Sequence, residues 1–327
     1  MTAVLVTGAS GFLGRFLVDD LLAAGYRVRA LARSSADLSF PPSVEVMTGD
    51  LLDPLCTSRA AAGCDTIVHL AGKAHAIDDS GESDEEYRSV NVDGTRHLLE
   101  RAAGVGVKRF IFASSVKVFG ETTSGSVDET VPAAPQSSYA RSKWMAEQLV
   151  ASYNGRGLAA VSLRLPLVYG PTKKGNLYRM IEAIDKGRFP ALPRVRTVRS
   201  MLHVGNFSLA VRAVLQSSDL LKPMYVVTDA EPYSITDVYD LLRRQLGQPP
   251  PRWRVPLAAW SWGGRCGDLL QALLKKPVPF SSSTFEKLFG EGWYSPRALI
   301  RDLGYQPRVT FETAVPELVE YYRRARS

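Results

Sequence analysis

The sequence predicts an α/β fold: a doubly wound parallel sheet followed by a smaller carboxy-terminal cap. Short apolar, β-branched runs alternate with helical patterns through the first half, as strands joined by crossover helices require. A glycine-rich turn, Gly8-Ala9-Ser10-Gly11-Phe12-Leu13-Gly14, falls directly between the first such run and the first helix. The length of 327 residues accommodates one large domain plus a second, smaller unit.

The first strand is residues 2–7, an apolar run that reads as buried. After it, glycines let the backbone turn tightly and approach a pyrophosphate, and the helix Arg15 to Ala24 offers unpaired N–H groups and its positive dipole end. Gly8, Ser10, Gly11, Phe12, Leu13 and Gly14 are therefore the expected contacts to a dinucleotide. The second strand, Arg27 to Ala32, runs into Arg33-Ser34-Ser35 with no carboxylate to accept from a ribose 2′-hydroxyl. Arg33 and two hydroxyls suit a 2′-phosphate, which predicts NADP(H), with NAD(H) as the alternative. The third strand, Val44 to Met47, leads to Gly49-Asp50-Leu51, where Asp50 is placed to bond an adenine amino group. The fourth, Thr66 to Leu70, exits through Leu70-Ala71-Gly72-Lys73, small residues that leave room at the sheet's switch point. His69, inside the strand pattern, reads as packed. The acidic stretch Asp78 to Glu86 reads as a solvated turn and helix start, Tyr87 to Ala103 as one long helix, and Arg109 to Ala113 as a fifth strand feeding Ser115.

Ser115, Tyr139 and Lys143 are the candidate catalytic set. Tyr139 and Lys143 are four apart, so on a helix they share a face. A phenol titrates near 10 unaided. An adjacent ammonium favours the phenolate, which lets the hydroxyl exchange a proton with a substrate oxygen that Ser115 polarises. A lone Tyr-x-x-x-Lys is a common accident; the glycine turn upstream gives this one its meaning.

Composition narrows the classes further. The chain is 45% hydrophobic and 22% charged, as a globular protein is. Cys56, Cys64 and Cys266 lack metal-ligand spacing and suit a reducing cytoplasm, and the four histidines are too scattered for zinc, so no metal is expected. No apolar run reaches the roughly 20 residues of a spanning helix. The net charge of +7 is dispersed, without a nucleic-acid motif, and fits an anionic substrate or an anionic membrane surface better than nucleic acid.

With these residues in view, the chain resembles extended short-chain dehydrogenases/reductases of the nucleotide-sugar epimerase, dehydratase and ketoreductase group. The resemblance rests on six motifs in order: TGASGFLG (Thr7 to Gly14), GDL (Gly49 to Leu51), VHLAG (Val68 to Gly72), NVDGT (Asn91 to Thr95), SSVKVFG (Ser114 to Gly120) and YARSK (Tyr139 to Lys143). It implies a Rossmann sheet of about seven parallel strands, with Tyr139 as proton donor or acceptor and Ser115 orienting the sugar oxygen. Lys143 would bond the nicotinamide ribose and lower the tyrosine pKa, and Asn91 would fix helix geometry. The resemblance also implies a monomer or a homodimer formed through helices at Tyr87–Ala103 and Tyr139–Tyr153.

The sixth strand, Leu158 to Leu165, continues into a segment similar to the one that carries relatives from cofactor to sugar nucleotide, which puts Pro166 near the nicotinamide. Residues 1–170 are then the cofactor domain, joined by a return at about 200–230, and 171–327 mainly the sugar-nucleotide cap. Relatives commonly have asparagine where this chain has Leu167; Asn176, before a helix Leu177 to Lys186, is the candidate replacement. Arg199 occupies the position of a phosphate-binding arginine, in a run Arg194 to Val204 expected as a strand with one basic face. Lys117 would contact the sugar. Ser234 caps a helix to Leu246. The apolar segment 257–276, with two tryptophans and basic neighbours, reads as a helix covering the cap or a dimer surface, with a weak membrane-surface contact as the other reading. A closing helix and turn and a last helix, Phe311 to Arg323, end the chain.

Val116 and Lys117 stand where sugar dehydratases place an acidic pair, which argues against dehydration. The expected activity is NADP(H)-dependent reduction of the C4 ketone of a UDP-linked 4-keto-6-deoxy-N-acetylhexosamine, in polysaccharide assembly. A UDP-hexose or UDP-N-acetylhexosamine 4-epimerase is the competitor, and an NADP-sensing regulator the remote one.

Overall fold

The structure, a computed structural model, describes residues 2–34, 40–73, 84–173, 175–218, 222–274, 276, 278 and 280–326. Ser35, 78–83 of the acidic stretch, Lys174 and Lys275 lie outside the described residues.

The chain begins with β1 (Ala3–Thr7), α1 (Phe12–Ala23), β2 (Arg27–Ala32), β3 (Glu45–Thr48), α2 (Pro54–Ala61) and β4 (Thr66–His69). Next come α3 (Asp84–Arg88), a π-helical turn (Ser89–Asp93) and α4 (Gly94–Gly104), where one regular helix was expected. β5 (Arg109–Ser115), β6 (Ser126–Val127), α5 (Ser138–Ser152), β7 (Ala159–Leu165), β8 (Leu167–Tyr169) and α6 (Asn176–Asp185) complete the centre. The remainder holds β9 (Val198–Arg199), β10 (Met201–His203), α7 (Val204–Gln216), β11 (Met224–Val226), β12 (Tyr233–Ser234) and α8 (Ile235–Gln245). It ends with α9 (Leu257–Leu274), α10 (Ser282–Phe289), β13 (Trp293–Tyr294), α11 (Arg297–Leu303) and α12 (Phe311–Arg326).

The main sheet has seven strands in the order β11-β7-β5-β4-β1-β2-β3, all paired in parallel. The chain starts at β1, runs outward to β3, then returns to β4 on the other side of β1. That reversal leaves a crevice at the carboxyl ends of β1 and β4. Both faces are covered, which is why strands such as Ala3–Thr7 are apolar throughout. On one face Leu17, Leu21, Phe207, Val211 and Leu299 pack against the sheet; on the other, Leu98, Leu99, Ala146 and Val150 do. A third core, around Tyr169, Tyr239, Trp260, Phe311 and Leu318, belongs to the carboxy-terminal helices.

The run from Arg194 to Val204 departs from expectation. Only Val198–Arg199 and Met201–His203 are strand, and Arg194 and Arg196 are exposed on irregular backbone, so no alternating basic face forms. Two-residue β9 pairs with β12 and forms a single parallel bridge between Arg199 and Gly292, and the Ser200 hydroxyl bonds both the backbone N–H and C=O of Tyr294.

Candidate active site

The glycine turn lies flat on the exit of β4. Gly8 has φ +67°, and a Cβ there would stand 2.7 Å from the Ala71 nitrogen. A Cβ on Gly14 would strike the Gly8 carbonyl. α1 starts on Gly11, which has no side chain to cap the first turn, and that turn holds no acid. Its N–H groups therefore face the crevice without a side-chain acceptor, the arrangement that binds a pyrophosphate. These residues fit a dinucleotide. Ser10 uses its carbonyl to accept from the Arg15 side chain at 3.2 Å.

The rest of the expected cofactor set is placed as follows. Arg33 is exposed just past β2, and Asp50 is exposed with Oδ1 accepting from the Leu52 N–H at 2.9 Å. Leu51 is buried against Gly94. Lys73 pairs with Glu86 at 2.5 Å, and its backbone N–H and carbonyl are both held by Asn91, at 2.7 and 3.1 Å. Asn91 also donates to Ser142 Oγ at 2.9 Å, so it ties the β4 exit to α5, beyond the expected role in helix geometry. A Cβ on Gly72 would stand 2.9 Å from Asn91 Oδ1 and 3.3 Å from Lys143 Nζ. His69 is packed, bonded to Thr7 at 2.7 Å and Thr95 at 3.0 Å, and burial pulls its pKa down to about 3.

The structure brings Ser115, Tyr139 and Lys143 together. Ser115 ends β5, accepts from the Lys117 N–H at 3.2 Å and shares a hydrogen bond with the Tyr139 phenol. Ser137 caps α5 by accepting from the Ala140 N–H, which sets Tyr139 in the first turn and Lys143 one turn later. Lys143 is buried, donates to the Ala113 carbonyl at 2.8 Å and lies 4.6 Å from the centre of the Phe112 ring. Desolvation lowers its pKa to about 8, against the pull of Glu147. Burial also pushes the Tyr139 phenol above its ordinary value, and the Ser115 bond only partly offsets this. That corrects the expectation that Lys143 would hold the phenol low: desolvation is the largest effect on it, and the ammonium is engaged by the Ala113 carbonyl.

Behind the lysine lies a buried network that sequence reasoning missed. Ser114 Oγ donates to Glu147 Oε1 at 2.5 Å, and Arg164 grips the same carboxylate through Nε at 2.9 Å and Nη2 at 2.6 Å. Arg164 also lies 4.3 Å from the centre of the Phe119 ring. The available signal was Glu147 itself, a charge one turn beyond Lys143 on the same inward face.

A cavity of about 280 Å³ opens at the start of α5, lined by Lys117, Gln136, Ser137, Arg199, Glu286 and Lys287 among others. Lys117 is paired with Glu121. Arg199 is anchored by donating to the Gly290 carbonyl at 2.7 Å and the Glu286 carbonyl at 3.1 Å. Asn176 is not brought to this cavity; it is exposed at the start of α6 and lines a separate crevice with Leu167 and Tyr169. Pro166 links β7 to β8.

A crevice at the switch of a parallel sheet, with a Ser-Tyr-Lys set beside it, defines a nucleotide-dependent oxidoreductase or epimerase. Residues 4–227 match the NAD dependent epimerase/dehydratase family, and the chain belongs to that family. It is 30% identical to a 3 beta-hydroxysteroid dehydrogenase/Delta 5→4-isomerase of Mycobacterium tuberculosis, over 98% of this chain and 90% of that one. It is also 30% identical to the N-acetyl-alpha-D-glucosaminyl-diphospho-ditrans,octacis-undecaprenol 4-epimerase of Escherichia coli O157:H7, over 87% of this chain and 84% of that one. Among solved structures it is similar to the UDP-glucose 4-epimerase of Thermus thermophilus in complex with NAD, with TM-score 0.75, 27% identity, and coverage of 99% and 100% of the two chains. The chain is an NAD(P)-dependent enzyme of the family. Among the described residues, no helix is long and apolar enough to cross a membrane.

Proposed function

We propose that the protein is a ketoreductase that uses NADPH to reduce the C4 ketone of a UDP-linked 4-keto-6-deoxy-N-acetylhexosamine. The observation that supports this reading is the protonated Tyr139 phenol bonded to Ser115 in the first turn of α5, two residues beyond Ser137, which lines a cavity with Lys117, Arg199 and Lys287. A bound nicotinamide would supply hydride to the sugar carbon. Tyr139 donates its proton to the substrate oxygen while Ser115 holds that oxygen in place. Lys143 stabilises the phenolate left behind and orients the nicotinamide ribose. Gly8 to Gly14, Asp50, Leu51, the exit Leu70 to Lys73 and Pro166 line the cofactor. Arg33 reads a 2′-phosphate, since β2 ends Ala30-Leu31-Ala32 without a carboxylate. Residues 1–170 hold the cofactor and 171–327 mainly the sugar nucleotide, whose diphosphate is met by Arg199, with Lys117 on the sugar.

The second reading is a 4-epimerase, favoured by the relatives of Escherichia coli and Thermus thermophilus, which are named for that reaction. One pair of assays separates the two. Purified protein is given a UDP-linked 4-keto-6-deoxy-N-acetylhexosamine with NADPH or NADH, and separately UDP-N-acetylglucosamine with no added cofactor. Loss of NADPH absorbance in the first assay supports the ketoreductase. Formation of UDP-N-acetylgalactosamine in the second, with no NADPH loss in the first, overturns it. Tight NADP binding with turnover in neither points to a sensor.

A further inference from the structure

α9 is built with two different faces. Trp260, Gly264 and Gly267, at i, i+4 and i+7, are its buried residues. A Cβ on Gly267 would collide with the Phe280 carbonyl, and one on Gly264 would sit 3.2 Å from the Ser282 nitrogen, so the glycines seat α9 on the chain leading into α10 and fix its rotation. Trp262, Cys266, Leu269 and Leu273 then repeat at i, i+4, i+7 and i+11 on the opposite face. Trp262 is 66% exposed, Leu269 64% and Leu273 71%. A helix that needed only its inner side would carry polar residues there. Of sixteen large apolar side chains exposed among the described residues, seven fall within 253–274.

We propose that α9 is an interfacial helix that lays this outer face into an anionic membrane surface. Tryptophan and leucine on one face, with basic flanks, suit the boundary between headgroups and acyl chains. Arg252 before the helix and Lys276 after it are exposed, and Arg265 and Asp268 are the only charges within it. The chain carries +7 overall, which attracts anionic lipid and opposes the pairing of two copies. Docking this way has a consequence for the cavity: α10, packed beneath α9, supplies its Ser283, Glu286 and Lys287. The membrane face and the cavity wall are thus two sides of one helical pair. The proposal stands apart from the choice between reductase and epimerase.

Cys266 provides the probe, because Cys56 and Cys64 are buried and Cys266 is exposed on the outer face. The full chain, labelled there with bimane, is mixed with vesicles of phosphatidylglycerol and phosphatidylcholine, or of phosphatidylcholine alone. The expected result is a blue shift and co-sedimentation with the anionic vesicles only. Leu269→Glu with Leu273→Glu should weaken co-sedimentation by about a hundredfold, roughly tenfold for each leucine removed from an apolar phase, with an unchanged melting curve. No shift of the wild-type label with anionic vesicles overturns the proposal. A label already shielded without lipid, in a dimer that the double variant dissociates, also overturns it and assigns the face to a second copy.

Discussion

At the scale of single residues, the chemistry turns on whether Tyr139 holds a proton when substrate arrives. Tyr139→Phe keeps the ring edge-on to Tyr87 but removes the donor. NADPH oxidation should fall by about a thousandfold, within the range that general acid catalysis contributes, while NADPH binding measured by fluorescence stays within a few fold. Lys143 sets the pH dependence. Its pKa is lowered to about 8, so kcat/KM for reduction should be flat below that value and fall as pH rises through it, when the phenolate loses its cationic neighbour. Tyr139, pushed above its ordinary value near 10, adds no loss in that window. Lys143→Met should be slow throughout and lack the inflection; a wild-type profile that rises through pH 8 would instead mean that the phenolate is the active form. Tyr139 and Lys143 could be set on one helix from the sequence because a four-residue spacing is a local property. Sequence reasoning gave the direction of the tyrosine shift wrongly because desolvation depends on the whole fold over α5, and it missed Arg164 because an arginine in an apolar strand looks like an edge until Glu147 is seen opposite it.

At the scale of elements, the break between α3 and α4 shows what periodicity leaves out. One extra residue in the turn Ser89–Asp93 rotates Asn91 inward, where it bonds Lys73 and Ser142. The hydrophobic pattern on either side still reads as one helix, so only an inward-facing asparagine hinted at the change. Asn91→Ala leaves the Lys73 N–H and Ser142 without this partner, which costs about 1–3 kcal/mol for a buried unsatisfied group. The denaturant midpoint should drop accordingly. Because Asn91 Oδ1 and Lys143 Nζ both border the space that a side chain at Gly72 would need, kcat should fall along with stability; a destabilised variant with wild-type kcat would confine Asn91 to folding. Six of the seven parallel strands were legible as short apolar runs between helical patterns, whereas β11 was covered only by an expected return of the chain at about 200–230. The run Arg194 to Val204 was legible only in part, since alternation resembles a strand even at residues 194–197, which join no strand ladder.

At the scale of the molecule, the cleft exists only while the sheet and the carboxy-terminal helices hold one position, and a small polar knot joins them. Asp229, just past β11, accepts from the His203 N–H at 2.7 Å, from Asn206 at 2.7 Å and from the Tyr169 hydroxyl at 2.8 Å. Asn206 in turn accepts from the N–H groups of Arg308 and Val309, which lead into α12. Burial raises the Asp229 pKa to about 6, and those donors only partly oppose it. The folded carboxyl therefore keeps its proton up to about pH 6, whereas the unfolded chain releases it near 3.8. Its contribution to stability is fully present below that lower value and is lost as pH rises to about 6, a change of about 2–3 kcal/mol. Asp229→Ala has no such titration, and the other carboxylates cancel in the comparison. Urea unfolding of both proteins at pH 4.5 and 7.5 should show the wild type ahead by a wider margin at the lower pH; a margin that widens toward pH 7.5 would mean that the ionised carboxylate, held by its donors, is what binds cap to sheet.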